Sequence, residues 1–468
     1  MIILNTLIFF IYLLVLTLIV ILSYKKQKSD VDFVLANRSL NFWLTALSAH
    51  ASDMSNWLFM GYPALIFIGG VFNAWTAIGL IIFMFLNWQF IAPKIRILTE
   101  KYNSLTLNAY FETRFNTGSI RIISSIISLI FFTFYISAGI IGFGFLVNSL
   151  FHLSYLTGIT IGLFVISLYV FMGGYLTVAY IDLFQGLFLL LVITLIPFYI
   201  LLKVGGLPVL SNALEIKNLT KSLFPDFSFK TISSAFLISI GWGIGYFGQP
   251  HIITKFMGIK NVKDINKAKI LGISWQALSL IGATFIGLIG IILFPEGLSN
   301  PELISLEMVK KTLSPFFSAI ILCAILAATT NVIAAQILVV ASSLSEDFYK
   351  RIINKQASHK KVLKVSKYSV VLISLISYIF AFFKISSIYN LVLYSWSGIG
   401  ASFGPLLLIS LYNKKINKSA AIIGILSGAL ISGIWPIFST IPPLIPSFSI
   451  SLFLILLFSY IKKGEIKI

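Results

Sequence analysis

Thirteen apolar stretches of close to 20 residues, separated by short polar segments, run from one end of the chain to the other. They cover 3–23, 41–65, 69–92, 120–149, 154–173, 183–204, 232–250, 270–294, 313–345, 368–386, 388–411, 419–438 and 446–461. About 20 apolar residues in a helix cross the hydrocarbon core of a bilayer. Each stretch must be helical there, because lipid offers no partner to a free amide or carbonyl. The expected fold is an all-α membrane protein of about 13 transmembrane helices.

Composition agrees. Hydrophobic residues make up 58% of the chain and charged residues 10%, where a soluble domain carries about 25% charged. So little charge cannot solvate a globule of 468 residues, which excludes soluble enzymes, disordered chains and disulfide scaffolds. Cys323 is the one cysteine and can form no intramolecular disulfide. Met1 to Ser23 begins without charge and runs into Lys25 and Lys26, the reverse of a secretory leader, so it reads as a retained first span. There is no phosphate-binding loop, HExxH or paired cysteine. No catalytic residue is therefore assigned, and any work must draw on a gradient.

The net charge of +19 is a topology signal, since short Lys- and Arg-rich connections stay in the cytoplasm. An odd number of spans puts the termini on opposite sides. With the N-terminus outside, 27 of the 34 basic residues fall in cytoplasmic segments, and the C-terminus is cytoplasmic too. The remainder sit outside or at span ends, so no basic residue is expected at mid-membrane. Basic residues spread between spans rather than over one surface argue against a nucleic-acid partner. The expected partners are the lipid bilayer and a small solute, with no obligate protein partner evident.

Two of the fifteen acidic residues fall within spans: Asp53 in the second and Asp182 at the start of the sixth. A carboxylate at the bilayer centre costs about 2.5–3.5 kcal/mol, so such residues face a cavity, an ion or a hydrogen-bonding helix.

Two spans are interrupted. The second contains Ser48-Ala49-His50-Ala51-Ser52-Asp53-Met54-Ser55-Asn56, and the seventh contains Gly241-Trp242-Gly243-Ile244-Gly245-Tyr246-Phe247-Gly248-Gln249-Pro250. Irregular backbone at membrane depth is tolerated only where it is buried in protein or lines a cavity. Each interrupted span opens a five-span unit, spans 2–6 and 7–11, and the two units run in opposite directions. This five-plus-five inverted repeat divides a single domain into 1–40 (first helix and inner loop), 41–204, 205–411 and 412–468 (two C-terminal helices). Paired discontinuous helices in inverted halves mark the central site of a secondary transporter. Trp242, Tyr246 and Tyr135 would offer apolar faces with polar tips there, and Ser55 a hydroxyl, which suits a small zwitterion with an apolar body.

Four stretches carry a resemblance. They are Asn37-Arg38-Ser39-Leu40 through Ala51-Ser52-Asp53-Met54-Ser55-Asn56-Trp57; Gly241 through His251; Ser342-Ser343-Leu344-Ser345-Glu346-Asp347-Phe348-Tyr349-Lys350; and Trp396 through Pro405. Together they resemble the sodium/solute symporter family, and within it the bacterial sodium/proline symporters. The resemblance implies thirteen helices, an outside N-terminus and sodium-coupled uptake of proline or a similar small amino acid at the cell membrane. It implies substrate contacts at Ser55, Trp57, Tyr135, Trp242, Tyr246 and Pro250. It also implies sodium held by the carbonyls of Ala51, Met54 and Ala328 with two hydroxyls from the ninth span, and associates Asp53 and Asp182 with sodium coupling.

The sequence departs from that pattern where the two hydroxyls belong, at Asn331 and Val332. Valine cannot coordinate a cation, while Asn331 offers an amide oxygen, so weak sodium affinity is expected. Two other readings stay open. One is proton-coupled symport of another small organic solute, since His50 precedes Asp53 by three residues and a helix would put both on one face. The other is a non-transporting membrane sensor, against which the short run after the last span, Lys462–Ile468, leaves no output domain.

Overall fold

A computed structural model of the chain describes residues 2–24, 29–413 and 415–461. Lys25, Lys26, Lys28, Lys414 and the run from Lys462, all part of the charge argument, lie outside the described residues. Among those described, the regular elements are helices: α1 (Ile2–Tyr24), α2 (Asp30–Leu35), α3 (Phe42–Ala51), α4 (Gly61–Gly69), α5 (Trp75–Leu86), α6 (Ala92–Lys101), α7 (Leu107–Phe115), α8 (Gly118–Phe151), α9 (Tyr155–Lys203) and α10 (Gly206–Ile216). The chain continues through α11 (Phe229–Gly243), α12 (Pro250–Gly258), α13 (Ile265–Leu293), α14 (Ile304–Thr312), α15 (Pro315–Ser342), α16 (His359–Phe382), α17 (Ile388–Tyr412), α18 (Lys418–Ile434) and α19 (Leu444–Ile461). Their starts are set by short polar side chains. Asn41, Ser154, Ser228, Ser387 and Asn417 each accept the backbone amide three residues on, satisfying a donor the helix itself leaves free.

Ten described helical runs are long and apolar enough to cross a membrane. The expected count of 13 is not confirmed by that measure, for two reasons. Expected spans five and six form one 49-residue run, α9, kinked at Gly174. There φ is +58°, and a Cβ would lie 2.7 Å from the Phe33 side chain, so both the conformation and the space favour glycine. The first expected span is α1 itself, 23 residues long and counted only over Leu7–Ser23, and the second is broken, leaving the shorter apolar run Asn56–Gly69.

Both interruptions are present. α3 ends at Ala51, the amides of Asp53 and Met54 turn back to the His50 carbonyl at 3.3 and 3.1 Å, and that of Ser55 reaches the Asp53 carbonyl at 2.9 Å. Ser55 caps a short turn, Asn56–Leu58, by accepting the Trp57 amide at 3.1 Å, and α4 resumes at Gly61. In the second break α11 gives way to a tight turn, Ile244–Gly248, an extended Gln249, and Pro250 as the first residue of α12.

The glycines of this break take no left-handed conformation. They let α17 approach: a Cβ on Gly245 would lie 2.2 Å from Trp396 Nε1, and one on Gly248 2.6 Å from the Gly400 carbonyl. The sequence locates the break, but close packing rather than backbone freedom explains its glycines. Carbonyls released from the helix find side-chain donors, as buried backbone must. Trp396 Nε1 donates to Trp242 at 2.8 Å, Asn87 Nδ2 to Tyr246 at 3.0 Å, and Gln249 Nε2 to Gly245 at 3.3 Å.

Candidate functional site

The two breaks meet across a small cavity lined by Asp53, Met54, Ser55, Trp57, Leu80, Tyr135, Trp242, Tyr246, Val392 and Trp396. Five of the six residues expected to contact substrate therefore come together: Ser55, Trp57, Tyr135, Trp242 and Tyr246. Pro250 does not line this cavity but a separate one. Aromatic side chains make up much of its wall. Trp57 lies between Tyr62 and Trp242, with ring centroids 5.1 Å away in each case, and Tyr246 meets Trp396 edge-on at 5.1 Å.

One short hydrogen bond joins the breaks directly. The Tyr246 hydroxyl donates to Asp53 Oδ2 at 2.5 Å and accepts from Gln276 Nε2 at 2.9 Å. Asp53 thus faces the cavity with one oxygen engaged, which suits a group that recognises a cation or an ammonium. The free volume is about 20 Å³, room for about one water molecule. A solute larger than water requires the aromatic wall to part.

The expected sodium residues are placed less uniformly. Asp53 and Met54 line the central cavity, whereas Ala51, Asp182, Ala328 and Asn331 do not. The amides of the first break bond to the His50 and Asp53 carbonyls, which leaves those of Ala51 and Met54 outside that pattern. On α15, Ala328 and Asn331 are both buried. Both polar atoms of the Asn331 amide lack a hydrogen-bond partner among the described residues, a donor and an acceptor that something polar should meet. The Thr329 hydroxyl turns back to the Ile325 carbonyl at 3.0 Å, bonding within its own helix.

Asp182 is engaged by protein. The Ser48 hydroxyl donates to its Oδ2 at 2.5 Å, and Lys255 Nζ lies 3.1 Å from the same oxygen. This corrects the charge reading, in which Lys255 belonged to an inner connecting segment: it is buried in α12 and neutralises the acid. His50 is also explained. Trp88 Nε1, which can only donate, bonds to His50 Nε2 at 3.0 Å, so that nitrogen is unprotonated. The His50 ring stacks on Trp88 at 6.1 Å and does not line the cavity with Asp53, contrary to the shared face a helix would provide.

Sequence reasoning missed Gln276, Asn87, Leu80 and Val392, which lie in apolar runs with nothing local to mark them. Trp396 carried a signal, the glycine-rich stretch that follows it.

Interrupted, facing helices around a buried polar cavity are the architecture of a membrane transporter, and comparison with known proteins agrees. The structure resembles that of a Na+-coupled sialic acid symporter solved in a substrate-bound outward-open state, with a TM-score of 0.85, 18% identity and 98% of each chain covered. In sequence it is 39% identical over 420 residues to the high-affinity proline transporter PutP of Bacillus subtilis (strain 168), covering 88% of each chain. It is 37% identical over 435 residues to a sodium/proline symporter of Staphylococcus aureus (strain JH9), covering 91% of this chain and 84% of that one. The Sodium:solute symporter family matches residues 33–428, and the chain belongs to that family. It is a transporter and not an enzyme, and a multi-pass protein of the cell membrane.

Proposed function

We propose that the protein carries proline, or an amino acid of similar size, into the cell together with sodium by alternating access. The observation that carries this reading is the cavity at which the two broken helices meet, where an aromatic wall adjoins the Asp53 carboxylate. The apolar faces suit a pyrrolidine ring, and the Asp53 carboxylate and Ser55 hydroxyl suit the charged ends of a zwitterion. The names of the Bacillus and Staphylococcus relatives support the same solute and ion.

In this reading Ser55, Trp57, Tyr135, Trp242 and Tyr246 contact the solute, and Pro250 sets the start of the half-helix beneath it. Ala51, Met54, Ala328 and Asn331 supply oxygens to sodium, with Asp53 biasing the site toward a cation, while Asp182, paired with Lys255, acts on it through the placement of α3 and α12. Spans 2–6 and 7–11 act as two opposed halves, within 41–204 and 205–411. The N-terminus lies outside and the C-terminus in the cytoplasm, as the basic connections require. A sodium ion entering down a 100 mV potential contributes about 2.3 kcal/mol, before its concentration gradient. Uptake of labelled proline into vesicles should be saturable and increase with external sodium. No saturable uptake of any small organic solute would overturn the reading, and binding without accumulation would mark a sensor instead.

A further inference from the structure

Outside the central cavity, several of the buried polar atoms without a partner lie around one space. Beneath the break in the seventh span a second cavity of about 20 Å³ lies among α7, α8, α12 and α15. Five buried atoms on its lining residues have no hydrogen-bond partner among the described residues: Asn108 Oδ1, Ser128 Oγ, both ring nitrogens of His251, and Ser342 Oγ. Each such atom costs about 1–3 kcal/mol if left unmet. Native interiors hold few of them, so five contributed by four helices around one space point to polar contents.

The position of the chamber says which contents. Tyr135, from the central wall, meets the His251 ring edge-on at 6.0 Å, and Phe132 meets the same ring at 5.6 Å. One imidazole and its aromatic neighbours therefore partition the two cavities. Asn108 Nδ2, also on the chamber lining, donates to Asp347 Oδ2 at 2.9 Å, and Asp347 is ion-paired with Arg121 at 2.6 Å. Contacts thus link the central cavity to the chamber through Tyr135 and His251, and the chamber to the ion pair through Asn108.

We propose that the chamber is a second station for the transported solute on its way to the cytoplasm. It takes the carboxylate of a small zwitterion on the donors of Lys255, His251, Ser128 and Ser342 once the partition opens. Lys255 also lines the chamber, and its bond to Asp182 uses one of its three ammonium donors. This inference rests on the amino-acid reading above.

The test uses the full chain in inside-out vesicles, in a Cys323→Ser background that retains uptake. Single thiols are introduced as Ser342→Cys and Ser128→Cys, on different helices, with Ser55→Cys in the central cavity as reference. Each reacts with a small charged methanethiosulfonate, with and without saturating proline. Both chamber thiols should react, and proline should slow both roughly tenfold. His251→Leu should weaken that protection at Ser342→Cys and leave it unchanged at Ser55→Cys, a split that a shift in overall conformation would not produce. Unreactive thiols at both chamber positions overturn the proposal. Protection at Ser55→Cys without protection in the chamber overturns it and leaves the amino-acid reading standing. Proline protecting none of the three overturns both.

Discussion

Lys255 Nζ lies 3.1 Å from Asp182 Oδ2, an ion pair with both side chains buried. The Ser48 hydroxyl reaches the same oxygen, so one carboxylate on α9 holds the helix that follows the second break, α12, and the helix that precedes the first, α3. Removing one partner of a buried pair strands a charge and costs about 3–5 kcal/mol, whereas removing both costs far less. Lys255→Met is therefore expected to lower the unfolding temperature in detergent more than Lys255→Met combined with Asp182→Asn. A double change as damaging as the single one would show that the charge of Asp182 is compensated elsewhere.

Trp242 packs at a tilt against Trp57, and Tyr246 holds Asp53. Trp242→Ala and Tyr246→Ala are each expected to raise the half-saturating proline concentration about tenfold, equivalent to about 1.4 kcal/mol. The amount of protein in the membrane should not change. Normal affinity in both variants would place the solute elsewhere.

Asn331 and Val332 stand where the family resemblance implies two hydroxyl ligands. The double change Asn331→Ser with Val332→Thr restores both, and should lower the sodium concentration that gives half-maximal uptake. If wild-type uptake instead ignores sodium and follows an imposed pH gradient, the sodium assignment fails.

Asp30, at the start of α2, is paired with His359 at 2.5 Å and Lys350 at 3.2 Å. Burial pushes its carboxyl up, but the His359 hydrogen bond and the Lys350 charge outweigh that and hold it below the ordinary range. A carboxylate depressed in the folded state adds stability above its unfolded value, about 3.9, and loses it as pH falls through the lower folded one. The difference in unfolding temperature between wild type and Asp30→Asn should stay constant from about pH 7 to 5 and shrink below about pH 4. A difference that shrinks between pH 7 and 5 would contradict this assignment.

The helical membrane fold and both breaks were legible in the sequence. Apolar runs of span length, and polar or glycine-rich interruptions within them, are local patterns with a single tolerable outcome in lipid. Asp53, Ser55, Trp57, Trp242 and Tyr246 were legible too, because they lie in or beside those breaks. Lys255 was not: by position it belongs with the basic residues of an inner connection, and only Asp182, 73 residues away in the chain, makes its burial affordable. The same holds for Gln276, which positions Tyr246, and for His50, whose partner is Trp88. The pattern of apolar and charged residues along the chain determined what must be helical and what must be buried. Which polar group answers which was decided by tertiary packing, because a buried hydrogen bond or ion pair depends on distance in space and leaves no mark on the spacing of residues in the chain.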